Sequence, residues 1–415
     1  MMLNYHMKAK SLIITFLLIL ILFIFNHVFM DTFSKANSYF ATQSMYNTEV
    51  VAPQKLFDKT WKVIYKNYYE SSLNNQNWYR WKSHYQGKIK TEDDARVAID
   101  TMIASLDEPY TRFMPQKDYE ELMTSITSKI YGIGVNIYSN SGKIEIFNVI
   151  PSTPADIVGL KQNDIIIAVD GKEINGMNVS EVATLVRGPE NSVVELTVLR
   201  AGKKLTKKIK RKEIKIKNVK SSILDNHIGY IQIISFMGGT TPNEFLEALE
   251  NTKNTDSIII DLRGNTGGLL DNAVFIANMF IQQGEIVEII YRNGYKKSIN
   301  ADSSQKLLNK PVVVLVNGAS ASASEILSGA LKDYHKAKLV GKKTFGKGLV
   351  QKVVPLPNKT GLNVTIARYR TPNGTDINKL GIKPDVEIGN DYDFYINNKR
   401  DIQLEKAKDI LTKGQ

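Results

Sequence analysis

The residues best placed to do chemistry lie in VNGASASASEILSGAL, Val316 to Leu331. An apolar run passes into small residues and then into a helical pattern, which sets several serine hydroxyls near a helix N-terminus. A strand-to-helix turn of this kind holds a nucleophilic hydroxyl in the open, beside backbone N–H groups that can receive an oxyanion. Serine and alanine clusters are also ordinary helix caps, and a cap alone is the default for such a string. The G-x-S-x-G pattern is not matched; Gly318-Ala-Ser320-Ala-Ser322 stands in its place.

A nucleophilic serine needs a base. The histidines are His6, His27, His84, His227 and His335, and His335 lies toward the far end of the same predicted helix as Ser322. A lysine serves instead if desolvation brings its pKa from about 10.4 toward about 7–8, so that it is neutral and accepts a proton. Lys347, in GKKTFGKGLVQ, stands between two predicted strands with Gly346 and Gly348 on either side, and those glycines let the backbone bend inward. A lysine in a glycine turn ordinarily faces water, so spacing alone does not decide its role.

A second constellation is SIIIDLRGNTGGLL, Ser257 to Leu270, where Gly267 and Gly268 open a helix directly after a strand. Bare N–H groups there suit a phosphate or the oxyanion of acyl transfer. The P-loop pattern fails because no G-K-[ST] follows. The strings of a penicillin-binding enzyme occur as Ser303–Lys306, Ser298–Asn300 and Lys359–Gly361, in the wrong order and with the first in a polar loop. They are chance matches.

Composition removes other classes. With no cysteine there are no disulfides, thiol nucleophiles or thiolate metal sites, and the histidines lack metal-site spacing. Neither a metal nor a cofactor is expected. The formal charge of +12 comes from scattered lysines with one dense run, Arg200–Lys220. That run interleaves Leu205, Ile209, Ile214 and Ile216 and has almost no aromatic residues, so it reads as an edge strand with solvated lysines rather than a nucleic-acid surface.

The elements around these motifs suggest an α/β multidomain protein. Lys8 and Lys10 precede an apolar stretch from Ser11 to Met30, expected to be a signal anchor or transmembrane helix over residues 1–30, membrane-anchored with the catalytic region on the extracytoplasmic side. Residues 31–52 read as a stalk and 53–127 as a helical region. In the latter Trp61, Tyr68, Tyr69, Trp78, Tyr79 and Trp81 are assigned to packing, and a helix over Glu92–Ser105 follows a cap at Thr91. Residues 128–214 show a period of two and glycine turns, a compact β-rich unit with two short helices. Over 215–390 strands and helices alternate, and the apolar runs SIIID and PVVVLV suit strands buried on both faces of a sheet. Residues 391–415 close the chain with an amphipathic helix.

Taken in order, SLDEPYTRF, YGIG, DLRGNTGG, SASASE, TFGKGLVQ, RYRTPNG and GIKPDVEI resemble the C-terminal processing peptidases, or tail-specific proteases, from about Phe57 to the C-terminus. That resemblance implies an α/β catalytic core of serine endopeptidase type behind a PDZ domain. It implies Ser322 as nucleophile, Lys347 as general base and Gln351 as the residue that orients the lysine. The oxyanion would be received by the N–H of Ala323 and by the Gly267/Gly268 turn, with the choice between the two glycines left open. YGIG resembles a PDZ carboxylate-binding loop, so Tyr131, Gly132, Ile133 and Gly134 are expected to hold the terminal carboxylate of an apolar protein tail. Expected partners are exported proteins with such tails, the membrane through the N-terminal helix, and a second copy of the chain in a homodimer; nucleic acid is not expected. A tail-binding PDZ scaffold without catalysis is the alternative reading.

Overall fold

The computed structural model describes residues 47–127, 130–214, 217–302, 308–389 and 400–413. One expectation is corrected at once. No helix among the described residues is long and apolar enough to cross a membrane, and the fold these residues form is a mixed α/β one in place of the expected arrangement with a transmembrane helix. The longest described helix, α1 (Pro53–Asn67), has 15 residues and carries Lys55, Asp58, Lys59, Lys62 and Lys66. At about 1.5 Å per residue it falls short of a ~30 Å hydrocarbon core. Residues 1–30, on which the anchor was expected, lie outside the described residues, as does most of the expected stalk.

The described chain divides into two compact units. The first comprises residues up to Val63, Trp78–Gln116 and Val353–Asn363. Helix α2 (Tyr79–Tyr85) is followed by α3 (Glu92–Ala104), whose start is a capping box: Thr91 Oγ1 accepts from Asp94 N at 3.1 Å and Asp94 Oδ2 accepts from Thr91 N at 2.9 Å. Ala95, Ala98, Ile99 and Met102 on α3 are buried. Trp61 and Trp78 are buried and donate their indole N–H groups to each other's carbonyls, so these aromatics do pack. Strand β1 (Arg112–Met114) pairs antiparallel with Gly361–Asn363.

The second unit holds two cores. After α4 (Gln116–Thr127), β2 (Ile130–Gly132) leads into β3 (Val135–Asn140) and β4 (Lys143–Val149), joined at Ser141-Gly142. The short α5 (Pro154–Ile157) and strands β5 (Ile165–Val169) and β6 (Lys172–Glu173) follow, then α6 (Val179–Val186), β7 (Val193–Arg200) and β8 (Lys203–Lys210). The sheet order is β3-β4-β5-β7-β8, with β6 beside β5. Ile144, Ile146, Ile166, Val182, Val194, Leu196 and Val198 fill its core. The lysine run forms an edge strand, as its composition indicated; Lys203, Lys204, Lys208 and Lys210 on β8 are exposed while Ile209 is buried.

Strand β9 (Lys212–Ile214) pairs with β2, and the second core begins at β10 (Val219–Leu224) and β11 (Ile228–Ile233). It continues through α7 (Thr241–Asn251), β12 (Ser257–Asp261), α8 (Leu270–Asn278), β13 (Gly284–Tyr291), β14 (Lys296–Ala301) and β15 (Val312–Val316). Then come α9 (Ala323–Asp333), β16 (Lys338–Gly341), β17 (Leu349–Pro355), β18 (Gly361–Arg370), β19 (Val386–Glu387) and α10 (Ile402–Lys413). The central sheet has the order β10-β11-β12-β15-β16-β19 and is parallel from β11 onward.

The apolar runs divide between two faces as a strand's period of two requires. Ile258, Ile260, Val312, Val314 and Val316 point into the core that includes Ala273, Ile276, Ala323 and Leu327 of α8 and α9. Ile259, Val313 and Leu315 point the other way, against Ala407 and Leu411 of α10. The C-terminal helix is therefore a layer of this α/β core, covering a sheet face that would otherwise meet water.

Candidate active site

The serine-rich turn sorts its hydroxyls by burial. Ser320 Oγ donates to Leu262 O at 2.8 Å and accepts from Asn317 N at 2.9 Å; Ser324 Oγ donates to Asn265 O at 2.9 Å. Both side chains are fully buried and serve the backbone. Ser322, between them, is only half-buried. It sits between β15 and α9 at φ 55° and ψ −116°, a conformation that costs a non-glycine residue on the order of 1–3 kcal/mol. Strain of this kind is tolerated where the turn must present a side chain outward.

Glu325 is fully buried one turn into α9. Its Oε2 accepts from the N–H groups of Ser322 and Lys347, both at 2.9 Å, and its Oε1 accepts from Gly346 N at 2.7 Å and Thr344 Oγ1 at 2.6 Å. Burial raises its pKa, and the hydrogen bonds from Thr344, Lys347, Gly346 and Ser322 oppose that shift. The carboxylate thus ties the serine turn to the lysine loop. Tyr369 of β18 does the same from the acceptor side: its hydroxyl lies 2.7 Å from Lys347 O and 3.1 Å from Ser322 O. Gln351, on β17, donates its Nε2 to Thr365 Oγ1 at 3.3 Å.

The glycine turn lies against the serine turn. A Cβ built on Gly267 would come within 2.7 Å of Ala321 O, 2.8 Å of Ser322 Cβ and 3.0 Å of Ala323 N. At Gly268 it would meet the Phe236–Met237 peptide at 2.2–2.3 Å. The two glycines differ in their N–H groups. Gly267 N donates to Asn265 Oδ1 at 2.9 Å, whereas Gly268 N, like Ala323 N at the first turn of α9, is not committed to an acceptor among the described residues. Asn265 also donates its Nδ2 to Ile233 O at 2.7 Å, and its own carbonyl receives Ala321 N and Ser324 Oγ. Asn272 Nδ2 holds Phe236 O and Gly238 O at 2.8 and 2.9 Å.

At the C-terminal end of β12 stands a buried ion cluster. Arg263 is bidentate to Asp261 and reaches Asp401, which precedes α10, at 2.8 Å. Gln403 Oε1 accepts from Arg263 as well, and Tyr230 donates its hydroxyl to Asp261 Oδ2 at 2.7 Å. Burial would raise the Asp401 carboxyl, but hydrogen bonding and charge from Arg263 outweigh it and hold the group below its ordinary value. A carboxyl with a depressed folded pKa contributes stability that is present above its unfolded value, about 3.9, and is lost as pH falls through the lower folded value. Acidification below about pH 4 is therefore expected to loosen α10, seen as lost amide protection over 402–413. Asp401→Asn should show the loosening already at neutral pH; equal protection of both proteins at neutral pH would contradict it.

In the smaller core, Tyr131 and Gly132 of β2 lie opposite Glu213 and Lys212 of β9. Ile133 turns its side chain into the core, and Gly134, at φ 89°, faces Thr153, whose Oγ1 would be 2.2 Å from an added Cβ. The loop opens directly onto β3, the last strand at that end of the sheet. Helix α6 packs beside β3, and Val135, Ile137, Val179 and Leu185 are partly buried there.

The family resemblance set Ser322, Ala323, Lys347, Gln351, Gly267 and Gly268 in one site, where spacing alone had left the lysine and the glycine turn open; in the structure the turns that carry Ser322, Lys347 and Gly267 meet. Sequence reading missed Glu325, Tyr369 and Asn265. Glu325 falls three residues after Ser322, the spacing of a helix-capping acid, and that spacing is the one signal the sequence carried for it. The rejected Ser303–Lys306 string lies outside the described residues.

Comparison with known proteins agrees with this architecture. Residues 227–388 match Peptidase family S41, and residues 145–200 match a PDZ domain. A carboxyl-terminal-processing protease of Synechocystis sp. is 35% identical over 374 residues, 87% of each chain. The carboxy-terminal processing protease CtpA of Bacillus subtilis is 40% identical over 304 residues, 72% of this chain and 65% of that one. The solved photosystem II D1 C-terminal processing protease superposes with a TM-score of 0.55 at 31% identity, covering 82% of this chain and 94% of its own. Fold and site together define a serine peptidase with a PDZ module. The chain belongs to the carboxyl-terminal processing proteases of Peptidase family S41.

Proposed function

We propose that the chain is an endopeptidase that cuts exported proteins presenting apolar C-terminal tails, with Ser322 as nucleophile and Lys347 as general base. One observation carries the reading: a single buried carboxylate, Glu325, accepts from the backbone of both residues. Ser322 is also the serine of its turn that is not buried in backbone hydrogen bonds. In the reaction Ser322 Oγ attacks the scissile carbonyl while neutral Lys347 Nζ takes its proton, later giving it to the leaving amine. Water then hydrolyses the acyl-enzyme. With the Gln351 amide nitrogen held by Thr365, its carbonyl oxygen is the end available to orient the lysine. The uncommitted N–H groups favour Gly268 over Gly267 as the partner of Ala323 for the oxyanion.

Substrate tails are proposed to add as a strand along β3, the carboxylate held at Gly132–Gly134 and apolar side chains lying against Val135, Ile137 and Val179. Export of the substrates rests on Lys8 and Lys10 ahead of an apolar stretch in the sequence. The test is cleavage of an unfolded protein bearing an apolar tail, beside the same protein with aspartates in the tail, from about pH 5 to 9. Faster cleavage of the apolar tail, rising with pH as the lysine loses its proton, is expected. A flat pH profile would count against a lysine base, and indifference to the tail against the proposed groove.

A further inference from the structure

We propose that Tyr369 is a positioning residue that sets the geometry of the Ser322–Lys347 pair; the proposal rests on the assignment of those two residues above. Each of the two is held at both of its backbone polar groups, and by the same two side chains. Their N–H groups go to the Glu325 carboxylate. Their carbonyls go to the Tyr369 hydroxyl, at 3.1 Å for Ser322 and 2.7 Å for Lys347. A carboxylate has no proton to give a carbonyl, and a phenol is well suited to do so. The division of labour follows from that chemistry.

Tyr369 is itself rigidly placed. It is 1% exposed, its N–H donates to Gly348 O at 2.9 Å, and it lies opposite Ile289 in the pairing of β18 with β13. Ser322 is in a strained conformation and Lys347 lies between two glycines, so neither backbone is fixed by its own local preference. An anchor on a central strand supplies what the turns lack. Loss of the hydroxyl would take from Ser322 O and Lys347 O the donor they share, and would leave Glu325 and the Phe345 N to Ser320 O bond, at 3.0 Å, to join the two turns.

The experiment is steady-state cleavage by Tyr369→Phe, which keeps the ring and removes only the hydroxyl. A fall in kcat of roughly 10–100-fold with little change in KM is expected, the size that sub-ångström to 1 Å misplacement produces. The pH dependence of kcat should also change as the Lys347 side chain loses its setting. Ile289→Val trims the neighbour opposite Tyr369 and leaves the hydroxyl, and it is expected to keep both kcat and the pH profile. 3-Fluorotyrosine at position 369 retains the donor and should restore kcat to within a few-fold of wild type; it also carries the test if Y369F does not fold. Wild-type kcat and pH profile in folded Y369F, or no recovery with the fluorotyrosine, would overturn the proposal. Failure of the underlying assignment looks different: Ser322→Ala and Lys347→Ala would then still cleave.

Discussion

Glu325→Ala is expected to lower the stability of the catalytic core by about 3–5 kcal/mol and to lower kcat on the order of 100-fold in whatever remains folded. Four donors converge on this carboxylate, from Ser322, Thr344, Gly346 and Lys347. Removing the acceptor strands them in a site where Thr344 is buried as well. A buried donor left without a partner costs about 1–3 kcal/mol, and water entering the space recovers part of the total. The kinetic effect has a separate origin, since the serine turn and lysine loop would lose the anchor their N–H groups share and keep only the one at their carbonyls. Urea unfolding measures the first effect and kcat per folded molecule the second. An unchanged unfolding midpoint would mean that the carboxylate is dispensable to the fold.

Gly268→Ala should be nearly as damaging, for a steric reason. At φ 148° an added Cβ would lie 2.2–2.3 Å from the Phe236–Met237 peptide, which is backbone and cannot swing away. The turn would have to move, carrying with it the N–H proposed to receive the oxyanion. Loss of one such donor lowers kcat by about 10²–10³-fold. Gly267→Ala would push on Ser322 instead, from 2.8 Å. Comparable kcat for Gly268→Ala and wild type would rule out Gly268 as the donor.

Much of this architecture was legible in the residues. The runs SIIID and PVVVLV indicated strands buried on both faces, and β12 and β15 are so buried because α8 and α9 cover one face and α10 the other. Thr91 announced the start of α3, and the lysine run announced the edge strand β8. The contacts that tie the serine turn to the lysine loop were not legible. Glu325 looks like an ordinary capping acid, and nothing local shows that its second oxygen reaches Thr344 and Gly346. Tyr369 occupies a strand position whose hydroxyl finds its partners only after β18 is placed beside the lysine loop. Gly267 and Gly268 are equivalent in the sequence; the Asn265 side chain distinguishes them by taking one N–H. The expected membrane-spanning helix finds no counterpart among the described residues, where the longest helix is short and charged.

The most direct measurement is cleavage of an unfolded, apolar-tailed test protein by residues 31–415, comparing wild type with Ser322→Ala and Lys347→Ala. Both variants are expected to fold with wild-type circular dichroism and to lose cleavage by at least about 10³-fold, the scale on which removal of a nucleophile or its base acts. Cleavage at wild-type rates by either folded variant would contradict the Ser–Lys assignment.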